Sequence, residues 1–194
     1  AETRNQLGLS GNFVMAYSGG TQPWQSVPET LAFFAKARHD ARLQGLKPVL
    51  LFLTWDTGFS LKESFAELGL TPEDVRLVNA QPAEVAWYLQ AADAGLMFRK
   101  NAVTNLVSCP TKAGEYLLAG LPVICTPYAG DVSAIVTATG SGFVTEFGEY
   151  ESERFAGWCA TVRARRAETA ASCAAAGQVH FGSHLLAGLT ALAD

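Results

Sequence analysis

Residues 108–130 read SCPTKAGEYLLAGLPVICTPYAG. A polar opening, a short helix, a glycine stop and a buried strand follow one another there. Pro110 suits the first turn of a helix, and Ser108 suits its cap. The N–H groups left free at such a start, together with the positive end of the helix dipole, make an anion site. Lys112 and Glu115, three residues apart, share a helix face. A cation at the helix mouth and a carboxylate one turn inside suit a phosphate joined to a polyol. Gly120 stops the helix, and Leu121 to Thr126 reads as a strand.

Working outward, the same alternation repeats. Phe13 to Tyr17 is an apolar strand ending at Ser18-Gly19-Gly20. Ser26-Val27-Pro28-Glu29 is a capping box that opens a helix with Val27, Leu31 and Phe34 on one face. Pro48 to Leu53 is a continuous apolar strand of the kind a parallel sheet buries on both sides. Ser60 to Glu63 is a second capping box, and its helix stops at Gly69. Val75 to Val78 is a strand. Pro82 starts a helix with Val85, Leu89 and Ala92 on one face. Ala94 to Phe98 is a strand, followed by a loop from Arg99 to Cys109. Asp131 caps a short helix, and Gly142 to Thr145 is the last strand. Beyond Tyr150 the pattern is helical: Phe155, Trp158, Cys159 and Val162 form one stripe, with further helices over 167–176 and 184–193.

Strict alternation of strand and helix predicts parallel strands with crossover helices. The expected fold is α/β, a Rossmann-like doubly wound parallel sheet with a C-terminal helical tail. The expected division is residues 1–12 as a linker or as residues foreign to the domain, 13–149 as the α/β domain, and 150–194 as helices packing on it. Ligands of such sheets lie beyond the carboxyl ends of the strands. The polar segments 18–26, 54–60, 79–82, 99–108 and 126–130 all follow strands and so share one edge.

Apolar residues make up 49% of the chain, enough for a sizeable core, whereas charged residues are 16%, low for a self-sufficient soluble domain. Part of the surface is therefore expected to face something else. The net charge of -4 argues against nucleic-acid or anionic-membrane partners. No apolar run reaches the ~20 residues of a membrane span. The start of the chain carries neither a secretory signal nor an initiator Met, and a cut-out piece of a longer protein is expected. The four cysteines, Cys109, Cys125, Cys159 and Cys173, have no paired spacing and are expected to be reduced thiols rather than a disulfide framework or a zinc site. His39, His180 and His184 fall outside the ligand edge. Trp24, Trp87 and Trp158 are expected in the core or at an interface.

With these words assembled, the chain from Phe13 to Phe147 resembles the C-terminal, donor-binding half of GT-B glycosyltransferases. The likeness is to the retaining group-1, or family 4, type used in polysaccharide biosynthesis. It is carried by Ser108–Lys112, Glu115-Tyr116-Leu117 and Ala119–Ile124. The resemblance implies a nucleotide-diphospho-sugar as donor substrate, no cofactor and no metal. It also implies an N-terminal acceptor domain in the same protein and a cytoplasmic site, membrane-associated only through the missing part. Arg99, Lys112 and Glu115 are then the catalytic candidates, the cations for the diphosphate and Glu115 for the ribose. Gly19, Gly20, Thr21, Gln25, Trp55, Ala80, Gln81, Asn105, Ser108 and Thr111 are the donor-binding candidates.

The sequence also departs from that family. Members commonly carry a basic residue right after the first glycine and another before the helix; Gly20 and Gln25 stand at those positions here. The first of two family glutamates would fall at Val107. A subset of polysaccharide enzymes instead has Arg, a loop with Asn, then Ser-Pro-Thr-Lys, which matches Arg99, Asn105, Ser108, Pro110, Thr111 and Lys112 with Cys109 inserted. Two other readings stay open: a non-catalytic nucleotide-sugar or interaction domain, and half of a sugar-nucleotide epimerase.

Overall fold

The computed structural model describes residues 2–56, 61–107 and 111–182. Six strands form one sheet: β1 (Phe13–Ser18), β2 (Pro48–Leu53), β3 (Val75–Val78), β4 (Ala94–Met97), β5 (Val123–Cys125) and β6 (Gly142–Val144). Every pairing is parallel, and the order is β3-β2-β1-β4-β5-β6. The chain runs outward from β1 to one edge, then returns to β4 beside β1 and runs to the other edge. The switch in direction opens a crevice between β1 and β4.

Nine helices connect and cover the strands among the described residues: α1 (Glu2–Gln6), α2 (Val27–His39), α3 (Leu61–Glu67), α4 (Pro82–Leu89), α5 (Val103–Leu106), α6 (Thr111–Leu118), α7 (Asp131–Thr139), α8 (Ser152–Ala164) and α9 (Arg166–Phe181). The period of two along β1 sorts its side chains between two cores. Phe13, Met15 and Tyr17 join Leu31 and Phe34 of α2, Phe65 of α3 and Phe155 of α8. Val14 and Ala16 join Leu89 of α4, Leu117 of α6, Val136 of α7 and Cys173 of α9. Burial on both faces is why β1 and β2 read as unbroken apolar runs. None of the described helices is long and apolar enough to cross a membrane.

The expected doubly wound parallel sheet is the fold observed. Several local expectations need correction. Ser26 precedes α2 but does not cap it through its side chain: its φ is 53°, and its Oγ is buried without a hydrogen-bond partner. The helix is held there by the Ser26 carbonyl, which accepts from the Thr30 N–H. Gly130, not Asp131, is the cap of α7. The loop after Arg99 contains the short helix α5. Ala92 is buried but lies beyond the end of α4. Of the tryptophans expected in the core or at an interface, Trp24 and Trp87 are 59% and 40% exposed, outside the core and compatible with the interface alternative. The second capping serine, Ser60, and the helix over 184–193 fall outside the described residues.

The first twelve residues, expected as a linker, include α1, whose Arg4 is buried. Its guanidinium lies 2.7 Å from the Asp93 carboxylate, which is wholly buried at the start of β4. Arg166 and Arg163 approach the same carboxylate at 3.4 and 4.0 Å, and the Val14 N–H donates to it at 2.8 Å. One aspartate thus gathers α1, β1, α8 and α9 at the amino edge of the sheet, opposite the crevice.

Candidate functional site

At the carboxyl edge β1 ends in Ser18, whose N–H donates to the Tyr116 hydroxyl at 2.8 Å. Tyr116 is buried in α6, and its ring lies so close to Gly95 of β4 that a Cβ there would stand 2.3 Å from it. The bare glycine is what lets α6 settle over the β1–β4 switch point. Gly19 follows with its N–H bonded to the Leu53 carbonyl at 3.0 Å. Its φ of +134° is backbone that side chains rarely adopt.

Lys112, on the first turn of α6, reaches across this turn. It is 7% exposed. Its Nζ lies 4.0 Å from the centre of the Tyr17 ring and donates to the Gln25 Oε1 at 3.1 Å. The ring is itself fixed, stacked on Phe52 at 4.5 Å and with its hydroxyl donating to the Gly20 carbonyl at 2.5 Å. Burial holds the Lys112 ammonium well below the usual lysine range, and the Arg99 charge adds to the fall while Glu115 opposes it.

Arg99, at the end of β4, is 5% exposed. Its backbone N–H donates to the Thr126 Oγ1 at 3.0 Å, and that hydroxyl donates back to the Arg99 carbonyl at 2.7 Å. Its guanidinium donates to the Phe98 carbonyl at 2.9 Å. Burial lowers its pKa from the usual arginine value, with Tyr17 and Tyr116 opposing. Among the described residues neither Lys112 nor Arg99 has a carboxylate within 4.0 Å. Two buried cations without a counter-charge form a strongly anion-attracting wall.

Both line one cavity of about 340 Å³ at the carboxyl edge of the sheet. That is within the range of small-molecule sites. Of the expected residues, Gly19, Gly20, Gln25, Trp55, Arg99, Thr111, Lys112 and Glu115 come together there. Trp55 is 50% exposed and presents its indole beside Pro82 and Val85 of α4. Among the described residues, Thr21, Ala80, Gln81 and Asn105 do not line it. Thr21 donates to the Asp56 carboxylate, tying the loop after β1 to the loop after β2. Ala80 is in the core, and Gln81 begins α4 with its N–H bonded to the Glu84 carboxylate at 2.8 Å. The Asn105 amide donates to the Lys100 carbonyl at 2.9 Å and so folds its own loop. Ser108, like Pro110, lies outside the described residues.

Ser18, Gln22, Pro82 and Val85 line the cavity without having been singled out as ligand contacts. Pro82 and Val85 carried only helix signals. Gln22 lay inside a polar stretch read for its glycines. Its amide stands 2.3 Å from where a Cβ on Gly20 would project. At the two positions where the resembling family carries basic residues, amides stand instead: the Gln22 amide against Gly20, and Gln25 itself. Among the described residues no cluster of three or more His, Cys, Asp or Glu side chains could hold a metal ion.

A doubly wound sheet in this strand order places its ligand crevice beyond the carboxyl ends of the strands at the switch point, and the cavity lined by Lys112 and Arg99 lies there. In particular, the chain has the fold of one half of the GT-B glycosyltransferases. It matches HepE from Anabaena, solved in complex with UDP-glucose, at 20% identity and a TM-score of 0.70, covering 98% of this chain and 52% of that one. Sucrose-phosphate synthase from Thermosynechococcus elongatus matches at 16% and 0.69, over 98% of this chain and 47% of that one. The C-terminal domain of LpcC, a group 1 family glycosyl transferase of Francisella tularensis, matches at 14% and 0.60, over 91% of this chain and 87% of that domain. The chain therefore spans about half the length of the first two. No protein-family model and no curated protein matches the sequence. At these identities the likeness is one of fold.

Proposed function

We propose that the chain is the nucleotide-diphospho-sugar-binding half of a glycosyltransferase acting in polysaccharide or cell-envelope glycan synthesis. The observation that carries this reading is the pair of buried side chains, Lys112 and Arg99, facing one cavity with no carboxylate within 4.0 Å among the described residues. A departing diphosphate is the charge such a wall stabilises. An arginine binds phosphate as a fork and a lysine as a point charge, and the two are complementary on a diphosphate. Glu115, three residues along α6 from Lys112, accepts from ribose hydroxyls. Trp55, with Pro82 and Val85, forms the apolar wall against which the base stacks. Transfer needs no metal in this scheme, because the side chains supply the positive charge.

The acceptor is bound by an N-terminal domain of the same protein. Two observations support that assignment: the half-length match to HepE and sucrose-phosphate synthase, and the exposed apolar residues Trp24, Val103, Leu106 and Val107 in segments that follow strands at the cleft edge. A cytoplasmic location goes with a nucleotide-sugar donor. The second reading, a non-catalytic nucleotide-sugar domain, is favoured by the missing basic residues at Gly20 and Gln25.

Calorimetric titration with UDP, GDP, ADP and CMP tests the binding claim. Saturable binding of one nucleotide, weakened roughly tenfold or more by Lys112→Ala and by Glu115→Ala, is expected. Absence of binding by the folded chain at millimolar nucleotide overturns it. Joining the chain to an acceptor domain separates the two readings, since only the first recovers transfer.

A further inference from the structure

The Gln25 side chain stands where the resembling enzymes carry a positive charge, and the structure gives it a contact that its sequence position does not suggest. Its amide oxygen accepts from the Lys112 Nζ at 3.1 Å, joining residues 87 positions apart. The path of Lys112 is cleared at Gly19, where a Cβ would stand 3.1 Å from Nζ and 3.2 Å from Cε. The ammonium is seated on the Tyr17 ring at 4.0 Å. Among the described residues the partners it touches are neutral: an aromatic face and an amide.

We infer that Gln25 is a positioning residue, holding the Lys112 ammonium over the Gly19–Gly20 turn as the anion-facing cation of the cleft. This deepens the nucleotide-diphosphate reading and rests on it. The physical reason is a choice among three side chains at one place. A lysine or arginine at position 25 would repel the Lys112 ammonium from its seat. A glutamate would hold it but neutralise it. A glutamine fixes its direction through one hydrogen bond and leaves the charge available. A cation delivered from α6 thus replaces one delivered from the loop.

Among the described residues, the charged groups acting on Lys112 are Arg99 from the end of β4 and Glu115 from its own helix, with the Tyr17 ring of β1 beneath the ammonium. Burial lowers the Lys112 pKa in the free protein, and a bound phosphate raises it. Binding therefore takes up a proton once the pH passes the free-state pKa, and affinity falls as pH rises through it.

The test titrates the chain with UDP, and separately with inorganic pyrophosphate, from neutral to alkaline pH. It uses wild type, Gln25→Met and Gln25→Glu, each checked by circular dichroism for the wild-type fold. Gln25→Met keeps the length of the side chain and removes the acceptor; affinity is expected to fall roughly tenfold at neutral pH. Gln25→Glu is expected to weaken binding at neutral pH and to move the alkaline loss of affinity to higher pH, because a carboxylate keeps Lys112 charged. A merely structural role would not move that profile. UDP binding by wild type with both variants unchanged in affinity and pH profile overturns the positioning role and leaves the nucleotide reading standing. Pyrophosphate binding that depends on Gln25, without UDP binding, supports the positioning role and overturns the nucleotide reading. Binding of neither ligand by wild type overturns both.

Discussion

At φ +134° Gly19 holds backbone in which a side chain is strained, and a Cβ there would press on the Lys112 Nζ from 3.1 Å. Gly19→Ala is expected to destabilise the chain by about 1–3 kcal/mol. The same substitution displaces the ammonium, so UDP affinity should fall with it. Urea denaturation and calorimetry on one variant measure the two effects. Arg99 was legible as a cleft residue because it follows β4, and Lys112 and Glu115 because they share a face near the start of a helix. Gln25 was legible as a ligand contact but not its bond to Lys112, 87 positions away, and Gln22 was not legible at all, because its amide folds back against Gly20. Thr21, Ala80, Gln81 and Asn105 illustrate the converse. Their segments were placed at the right edge, but local hydrogen bonds and burial turn their side chains to structural work.

Helix α6 is placed by its neighbours as much as by its own sequence. Its face away from the sheet carries Gly114, whose absent Cβ would meet Phe181 of α9 at 3.0 Å. Gly177 of α9 approaches the α6 backbone, and a Cβ there would stand 2.8 Å from the Leu118 nitrogen. The two helices touch through glycines, so the spacing has no slack. Gly177→Val should force them apart, costing about 1–3 kcal/mol in thermal or denaturant unfolding. Because α6 carries Lys112 and Glu115, nucleotide affinity should fall with it even though Gly177 is remote from the cavity. The strands β2 and β3 were read to the residue: β2 is an unbroken apolar run, and in β3 three of four residues are apolar between polar flanks. The tail was read as helical, but its alanine and glycine content gave no sign of the face that docks on α6.

Three buried thiols and two buried tyrosines shape the response of the whole molecule to alkali. Burial pushes Cys125 from 9.0 up to about 12 and Cys173 from 9.0 up to about 11, and it raises Tyr17 and Tyr116 in the same direction. Cys159 is raised chiefly by burial, with the Asp93 charge adding to it. In the unfolded chain these thiols lose their protons near the ordinary value; in the folded chain they keep them. Above that point the unfolded state binds fewer protons, so stability falls as pH climbs from 9.0 toward 12. Thermal melts across that interval should show a steadily falling midpoint. Native-state labelling should leave Cys125, Cys159 and Cys173 untouched until the chain unfolds.

Asp93 also sets an order of events. Its partners Arg4, Arg163 and Arg166 lie at opposite ends of the chain, yet converge on one carboxylate. During synthesis the six strands leave the ribosome before α9, so the sheet can pair before Arg166 reaches Asp93. Closing so long a loop is slow and comes late. The arginines therefore act as a latch rather than a nucleus. Removing one should hasten escape from the native state while scarcely delaying arrival at it. Stopped-flow chevrons of Arg166→Ala should show a faster unfolding limb over an unchanged refolding limb.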